Sequence, residues 1–284
     1  MKKGVSFFSF AQDVDILEAS MEAKNAGYDG VELVLTDTGS LNMATAEGKL
    51  LEIRRMVNDL GLAIPSVGAW NLWSRNLASG DPKESQAASG IVKKQIDCAA
   101  AFGADTVLVV PGWVGAPFAE GVVRYDRAYE NAQRALSLLA PYARSAGVSI
   151  AVENVWNKFL LSPLEMRRFL DEIASPSVGA YFDVGNILYV GYPDQWIEIL
   201  GNRIKKLHFC DYRADQAGLG AFVDLLAGDV DFSQVMRAIR AIGYDDYITV
   251  EFLPNYRVFP YQSIRNARLS LDTILAIQSG KEGA

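Results

Sequence analysis

Short apolar stretches typical of strands alternate along the whole chain with longer stretches in which apolar residues recur at helical spacing. Eight such strand–helix pairs follow one another in 284 residues, and no linker-like segment or change of composition separates them. Eight consecutive β/α units in a chain of this length are typical of a parallel barrel. We therefore predict an α/β protein with a single (β/α)8 TIM barrel domain over residues 1–284.

The apolar pattern and the residues that interrupt it set the boundaries of these units. The predicted strands are Gly4–Phe10, Tyr28–Leu35, Leu62–Val67, Asp105–Pro111, Val148–Glu153, Val178–Asp183, Ile204–Cys210 and Tyr247–Glu251. The predicted helices are Val14–Asn25, Thr45–Leu60, Glu84–Phe102, Tyr125–Ala146, Pro163–Ile173, Asp194–Leu200, Phe232–Ile242 and Tyr261–Ile277.

Glycines support this division of the chain. A glycine that favours the left-handed backbone of a helix end stands just before a predicted strand at Gly27, Gly61, Gly103, Gly147 and Gly243. A doubly wound sheet is the main alternative fold. It is disfavoured because no Gly-x-Gly-x-x-Gly motif follows the first strand and because the units number eight.

Composition argues against several classes of protein. Half of the residues are apolar and 21% are charged, which is an ordinary balance for a globular chain. The net charge of −7 is unfavourable for general binding to nucleic acids or anionic membranes, and no stretch approaches the ~18 unbroken apolar residues of a membrane-spanning helix. The cysteines, Cys98 and Cys210, form no CxxC motif. We expect a cytoplasmic protein with free thiols and with neither a nucleic-acid nor a membrane partner.

Four predicted strands carry a potential metal ligand at their carboxyl ends. These residues are Glu153, Asp183, Glu251 and the only histidine of the chain, His208, on strands five to eight. Active groups of a (β/α)8 barrel collect at this end of the strands, so four consecutive strands can direct them to one point. A charge at the end of a buried strand is costly unless it is paired or bound to a metal ion. We therefore predict a divalent-metal site.

The types of ligand restrict the metal ion. Three carboxylates and one imidazole without a thiolate suit Mn²⁺, Co²⁺ or Mg²⁺ better than a structural Zn²⁺. We expect Mn²⁺, with Co²⁺, Mg²⁺ and Zn²⁺ as alternatives. An octahedral ion with four protein ligands keeps two open positions, which a hydroxyl and a carbonyl oxygen of a sugar can fill.

Motifs around these residues resemble those of a known family. They are Ala151-Val-Glu-Asn154, Tyr181-Phe-Asp-Val-Gly-Asn186, Lys206-Leu-His-Phe-Cys-Asp-Tyr-Arg213 and Thr249-Val-Glu-Phe252. With them the sequence resembles the xylose-isomerase-like TIM-barrel superfamily, in particular sugar and sugar-phosphate isomerases and epimerases of the ketose 3-epimerase and L-ribulose-5-phosphate 3-epimerase type.

The resemblance implies roles for individual residues. Glu153, Asp183, His208 and Glu251 would bind one divalent metal ion, and the two glutamates would also act as the acid/base pair. Arg213 would bind substrate hydroxyls. The chain also differs from many ketose epimerases, because Asn186 stands where they have a histidine and no second glutamate follows within residues 154–159.

The chemistry of such a site is the transfer of a proton next to a carbonyl group. The metal ion stabilises the enediolate oxygen, one carboxylate removes the proton, and a second returns one on the opposite face. We therefore predict a divalent-metal-dependent isomerase or epimerase of a ketose or ketose phosphate. A metal-dependent dehydratase or lyase of a keto-polyol such as an inosose is the alternative. A DNA-repair endonuclease of the same superfamily is disfavoured by the single histidine.

Residues near the strand ends are candidates for binding the substrate. Trp113 could stack on a sugar face or belong to ordinary packing, and the same two roles are open for Trp70, Asn71 and Trp156. Asn154 and Asn186 could bond to hydroxyl groups or cap helices. Arg213 has a surface ion pair as its alternative role. Glu32, inside the second strand, is either a hydroxyl ligand or a partner of a metal ligand.

Two further properties of the substrate and the assembly stay open at this point. No P-loop motif is present, although the glycines of residues 218–222 could offer N–H groups to a phosphate, so both a free and a phosphorylated sugar are retained. The residues do not reveal the oligomeric state; the resemblance allows a homo-oligomer, since relatives of this kind often form dimers or tetramers.

Overall fold

The computed structural model describes residues 1–11, 14–117, 119–251 and 256–277, so Phe252 of the fourth motif lies outside the described residues. The strands within them are β1 (Lys2–Ser6), β2 (Gly30–Leu35), β3 (Val67–Ala69), β4 (Thr106–Val109), β5 (Ser149–Glu153), β6 (Val178–Asp183), β7 (Ile204–Phe209), β8 (Asp211–Tyr212), β9 (Phe222–Val223) and β10 (Tyr247–Val250). The α-helices are α1 (Ile16–Ala26), α2 (Glu47–Asp59), α3 (Pro82–Phe102), α4 (Tyr125–Ser145), α5 (Pro163–Ile173), α6 (Gly185–Leu188), α7 (Pro193–Leu200), α8 (Phe232–Ala241) and α9 (Gln262–Leu275).

Eight of these strands close into a barrel in the order β1-β10-β7-β6-β5-β4-β3-β2. Neighbouring barrel strands are parallel throughout, from the β1–β10 pair that closes the ring to the β5–β6 pair on the other side. This arrangement confirms the predicted (β/α)8 fold. The two remaining strands, β8 and β9, form a short antiparallel hairpin after β7, in which Asp211 pairs with Val223.

Helices pack around the barrel with one apolar face inward. In α8 the buried residues Phe232, Val235, Met236 and Ile239 recur at three- and four-residue intervals, as expected for a helix with one buried face. The glycine prediction is also confirmed, because a left-handed backbone is found at Gly27, Gly61, Gly103, Gly147 and Gly243. None of the described helices is long and apolar enough to cross a membrane.

The third strand lies later in the sequence than predicted. The apolar pattern indicated Leu62–Val67, whereas β3 covers Val67–Ala69 and only an isolated bridge between Gly30 and Ala63 precedes it. Pro65 explains part of the shift, since proline has no N–H to donate to a strand ladder. The shift moves the carboxyl end of β3 closer to Trp70.

Two other boundaries differ from the prediction. The first strand was expected to reach Phe10, but β1 ends at Ser6 and Phe7–Ser9 form a 3-10 helix. The Ser6 side chain caps this turn by accepting a hydrogen bond from the Phe8 N–H. Between β6 and β7 the structure has two helices, α6 and α7, where one was predicted. The early end of β1 places the aromatic residues of this turn at the carboxyl rim of the barrel.

Candidate metal centre

The four predicted ligands meet at the carboxyl rim of the barrel. Glu153 and Asp183 are the last residues of β5 and β6, His208 lies near the end of β7, and Glu251 directly follows β10. These strands are consecutive around the ring, and Asp183 and His208 are paired in register. One potential ligand atom from each residue lies within 4.8 Å of the others, and all four residues are buried. The structure thus brings together the complete predicted set.

Burial and mutual repulsion make this cluster unfavourable for carboxylates without a cation. Burial, followed by the charge of Glu251, raises the pKa of Glu153 to about 8. The same two causes raise the pKa of Asp183 to about 7. Among the described residues, Glu153 and Glu251 form ion pairs with the same side chain, that of His208. Three oxygen donors and one nitrogen donor in such surroundings fit a divalent cation, which these residues could hold.

The two ring nitrogens of His208 have different partners. Nε2 lies 3.0 Å from Oε1 of Glu32, while Nδ1 lies 3.2 Å from Oε1 of Glu153 and 3.4 Å from Oε2 of Glu251. A histidine that ligates a metal ion usually donates its other N–H to a carboxylate, which sets the tautomer. In the ion-free structure both ring nitrogens face carboxylates: burial lowers the pKa of His208, but Tyr181 and the carboxylates raise it by more, so both nitrogens carry a proton. With a metal ion bound, the proton would remain on Nε2 and the Nδ1 lone pair would be free to bind the ion.

Glu32 is held in place as an ionised acceptor. It is fully buried, and it accepts hydrogen bonds from the hydroxyls of Ser6 (2.7 Å), Ser66 (2.6 Å) and Tyr181 (2.8 Å). Burial raises the pKa of Glu32, but His208 and the serine hydroxyls lower it by a larger amount. The net effect is a pKa below the usual value for a glutamate. Of the two roles left open for Glu32, the structure supports that of a partner of a metal ligand.

Sequence reasoning did not identify the hydroxyl groups around Glu32. Ser6 is the last residue of β1, Tyr181 lies within β6, and Ser66 directly precedes β3. Ser6 is paired in register with Glu32, whereas Tyr181 reaches it across the barrel from β6. A polar residue at an inward-facing position of a barrel strand is the signal that could have indicated such a network.

Asp183 is positioned by groups on its own and neighbouring strands. Its Oδ1 accepts a hydrogen bond from the backbone N–H of Asn186 at 2.6 Å, and the thiol of Cys210 lies 3.1 and 3.3 Å from its two oxygens. The amide of Asn154 bonds to both the N–H and the carbonyl of Asp183, at 2.9 and 2.8 Å. Burial, and then the charge of Asp183, raise the pKa of Cys210, so the thiol remains a donor.

A cavity of about 680 Å³ opens beside this cluster. Glu153, Glu251 and Asn186 contribute polar groups to its wall. Its aromatic lining comes from Phe7, Phe8, Phe10, Trp70, Trp73, Trp156 and Phe222. The cavity therefore combines an acidic end with an aromatic wall.

The four predicted substrate-binding residues lie in different surroundings, and Asn186 is the one that lines the cavity beside the cluster. Asn186 lines the cavity, whereas the Asn154 amide is engaged by the backbone of Asp183. Trp113 lines a second cavity of about 440 Å³. Arg213 is exposed, and its Nε donates to the carbonyl of Ala227. Of the tryptophans predicted as pocket candidates, Trp70 and Trp156 line the cavity of about 680 Å³, and Trp113 does not.

A closed (β/α)8 barrel with a Glu/Asp/His/Glu cluster at its rim defines the class of this protein. The chain belongs to the xylose isomerase-like TIM barrel family, which matches it over residues 21–274. This match confirms the resemblance inferred from the motifs.

Several similar proteins are 3-epimerases, and the inosose dehydratase of Lacticaseibacillus casei is 26% identical over 54% of this chain and 56% of its own length. The L-ribulose 3-epimerase of Methylomonas sp. is 26% identical over 245 residues, which are 84% of this chain and 78% of that protein. The fructoselysine 3-epimerase of Shigella flexneri is 23% identical and covers 95% of this chain and 98% of its own length. The crystal structure of D-psicose 3-epimerase from Clostridium cellulolyticum H10 with D-tagatose has the same fold, with a TM-score of 0.76, 15% identity and coverage of 98% and 99%.

Proposed function

We propose that the protein is a divalent-metal-dependent epimerase of a ketose, which inverts the carbon next to the carbonyl group. The observation that carries the proposal is the position of two glutamates. Glu153 and Glu251 both line the cavity, and both approach the same nitrogen of His208, at 3.2 and 3.4 Å. They come from β5 and from the end of β10, with β6 and β7 between them, so they can flank a substrate.

The cation would be held by Glu153, Asp183, His208 and Glu251, and we expect Mn²⁺ from the donor set. When bound, it supplies a Lewis acid that polarises the substrate carbonyl and favours enediolate formation. Glu32 keeps the Nδ1 lone pair of His208 directed at the cluster.

Proton transfer is assigned to the two glutamates. One carboxylate removes the proton from the carbon, and the other returns a proton from the opposite face. In the ion-free protein, burial and the charge of Glu251 raise the pKa of Glu153 to about 8. A bound cation would displace this proton and leave a carboxylate that can act as the base. Aldose–ketose isomerisation can use one such group, whereas epimerisation needs two. The presence of two acidic groups at one cavity therefore favours epimerisation.

The test replaces each glutamate by its neutral isostere. In Glu153→Gln and Glu251→Gln, turnover of a ketose panel should fall by about 10²–10⁴-fold, the usual contribution of a general acid or base. Turnover and the exchange of the carbon-bound proton with D₂O are followed by NMR with the Mn²⁺-loaded enzyme. Glu47→Gln, an exposed substitution on α2, serves as the matched control and should leave the rate unchanged.

Two outcomes would count against this proposal. A near-native rate in either glutamine variant, with unchanged thermal unfolding, would remove that glutamate from the mechanism. An ultraviolet-absorbing unsaturated ketone as the product would instead identify a dehydratase of a keto-polyol.

A further inference from the structure

We infer that the substrate is an uncharged ketose that carries an apolar or aromatic substituent, and that sugar phosphates are excluded. The inference rests on the proposed function and adds the class of substrate to it. Three features of the main cavity support it, namely its charge, its size and the position of its aromatic side chains.

The charged side chains that line the cavity among the described residues are all acidic. They are Glu153, Glu251 and Asp37. The described basic residues of the loops at this rim are not among the residues that line this cavity; they are Arg75, Arg124, Lys158, Arg213 and Arg257. Of these, Lys158 lines an adjoining cavity of about 600 Å³, which shares Trp156 and Asn186 with this one. The segments outside the described ranges contain one basic residue, Lys281. The cavity therefore presents negative charge to whatever enters it.

A phosphate group needs the opposite surroundings. It carries about −1.5 to −2 charges at neutral pH and is bound by Arg, Lys or clusters of backbone N–H groups. The glycine-containing segment 218–222, which the sequence offered for this purpose, forms a three-residue 3-10 helix, Leu219–Ala221. It contributes the apolar side chain of Leu219 to the cavity, and the N–H of Ala221 bonds to the carbonyl of Gly218. This segment thus extends the apolar wall.

The size and lining of the cavity indicate a substrate larger than a simple sugar. Its volume of about 680 Å³ lies within the ~300–1,000 Å³ that is typical of pockets for drug-sized ligands. Two aromatic pairs line it: Phe8 and Trp70 with ring centroids 5.8 Å apart, and Trp156 and Phe222 with centroids 5.4 Å apart. Such rings bind apolar and planar groups. With the reacting carbon beside the glutamates, a substituent at the other end of the sugar would contact these pairs.

The experiment compares three substrates built on the most active ketohexose of a panel. They are the free sugar, its 6-phosphate and its 6-O-benzyl ether. We expect kcat/KM of the benzyl ether to exceed that of the free sugar by at least about tenfold, because several apolar groups are buried. The phosphate should be at least about 100-fold below the free sugar. A phosphate that is turned over as well as the free sugar, or a benzyl ether no better than it, would overturn the inference.

The test separates this inference from the proposed function. If no ketose of the panel exchanges its proton with solvent, and neither the phosphates nor the benzyl ethers do, the proposed reaction is wrong. Calorimetric binding of the benzyl ether and the phosphate to the Mn²⁺-loaded protein then still tests the substrate class. Tighter binding of the ether supports the inference, and equal or tighter binding of the phosphate contradicts it.

A substitution in the aromatic wall locates the substituent. Trp70→Ala should lower kcat/KM for the benzyl ether by about tenfold more than it lowers that of the free sugar, because the substituent loses a ring that it contacts. Phe8→Leu provides the same comparison if Trp70→Ala does not fold. Tyr192→Ala, an aromatic residue with 67% exposure on the surface, is the control. An equal loss for both substrates would place the substituent elsewhere.

Discussion

His208 contacts three carboxylates through its two ring nitrogens. Glu32 lies on one side of the ring, and Glu153 and Glu251 lie on the other. The ring also packs against Tyr181, with centroids 4.3 Å apart, and Tyr181 donates to the same Glu32. One buried carboxylate thus fixes the orientation of the imidazole, although it does not line the cavity itself.

This arrangement makes Glu32 a positioning residue whose loss should weaken metal binding. Glu32→Gln keeps the volume of the side chain but loses the charge that accepts the Nε2–H of His208. We expect the affinity for Mn²⁺ to fall by about 10–100-fold, the usual cost of losing such a partner. Calorimetric titration of the metal-free protein measures the change. The exposed Glu47→Gln variant is the control, and an unchanged affinity in a folded Glu32→Gln protein would refute the role.

The side chain of Asp211, the first residue of β8, anchors the loop that follows the β8–β9 hairpin. Asp211 is fully buried and accepts hydrogen bonds from the backbone N–H groups of Tyr212, Leu226, Gly228 and Val230, at 2.9–3.1 Å. A Cβ at position 228 would collide with this carboxylate, which explains the glycine there. By tying the returning loop to β8, Asp211 holds the hairpin that places Phe222 at the cavity.

Removal of this side chain should destabilise the fold. Asp211→Ala leaves four N–H groups without their acceptor, two in buried hydrogen bonds and two in partly buried ones. Each unsatisfied buried group costs about 1–3 kcal/mol before relaxation. We expect the free energy of unfolding to fall by at least about 3 kcal/mol in urea titrations. Asp229→Ala in the same loop removes an exposed carboxylate that accepts one hydrogen bond, from Ala214. It should cost less than about 1.5 kcal/mol, and equal losses would contradict the anchoring role.

At the scale of the whole molecule, closure of the barrel concentrates acidic groups in a buried place. The ring brings the ends of β5, β6, β7 and β10 side by side, and each contributes one residue to the cluster. The single-domain organisation and a homo-oligomeric assembly stay predictions.

The burial of several acidic groups in one place has a consequence that can be measured on the whole protein, namely the effect of pH on its stability.

Stability of the metal-free protein should decrease as the pH rises from about 5 to 8. Folding raises the pKa of Glu153 to about 8 and that of Asp183 to about 7, from ordinary values near 4. The folded state therefore binds more protons than the unfolded state in this window, and each extra proton lowers stability by about 1.4 kcal/mol per pH unit.

A bound cation replaces these protons, so the difference in Tm between Mn²⁺-loaded and EDTA-treated protein should grow as the pH rises from 5 to 8. Thermal unfolding at several pH values measures it. Asp183→Asn should remove most of the difference in Tm. A difference that does not depend on pH would show that protons and the cation do not compete for this cluster.

Local patterns in the chain were enough to identify the eight units, the glycine helix ends and the four clustered residues. Each of these depends on residues that are close in sequence, such as an apolar run that ends on a carboxylate. The parallel barrel then follows from the number of units, and the meeting of Glu153, Asp183, His208 and Glu251 follows from the common direction of consecutive strands.

Tertiary structure decided which other side chains reach the site. Trp113 and Trp156 both follow barrel strands, yet only Trp156 lines the main cavity. The shift of β3 past Pro65 and the contact of Tyr181 with Glu32 across the barrel were likewise not readable from the chain. Local periodicity specifies which face of a strand is apolar, but strand register, loop path and ring closure determine which side chains from distant strands come into contact.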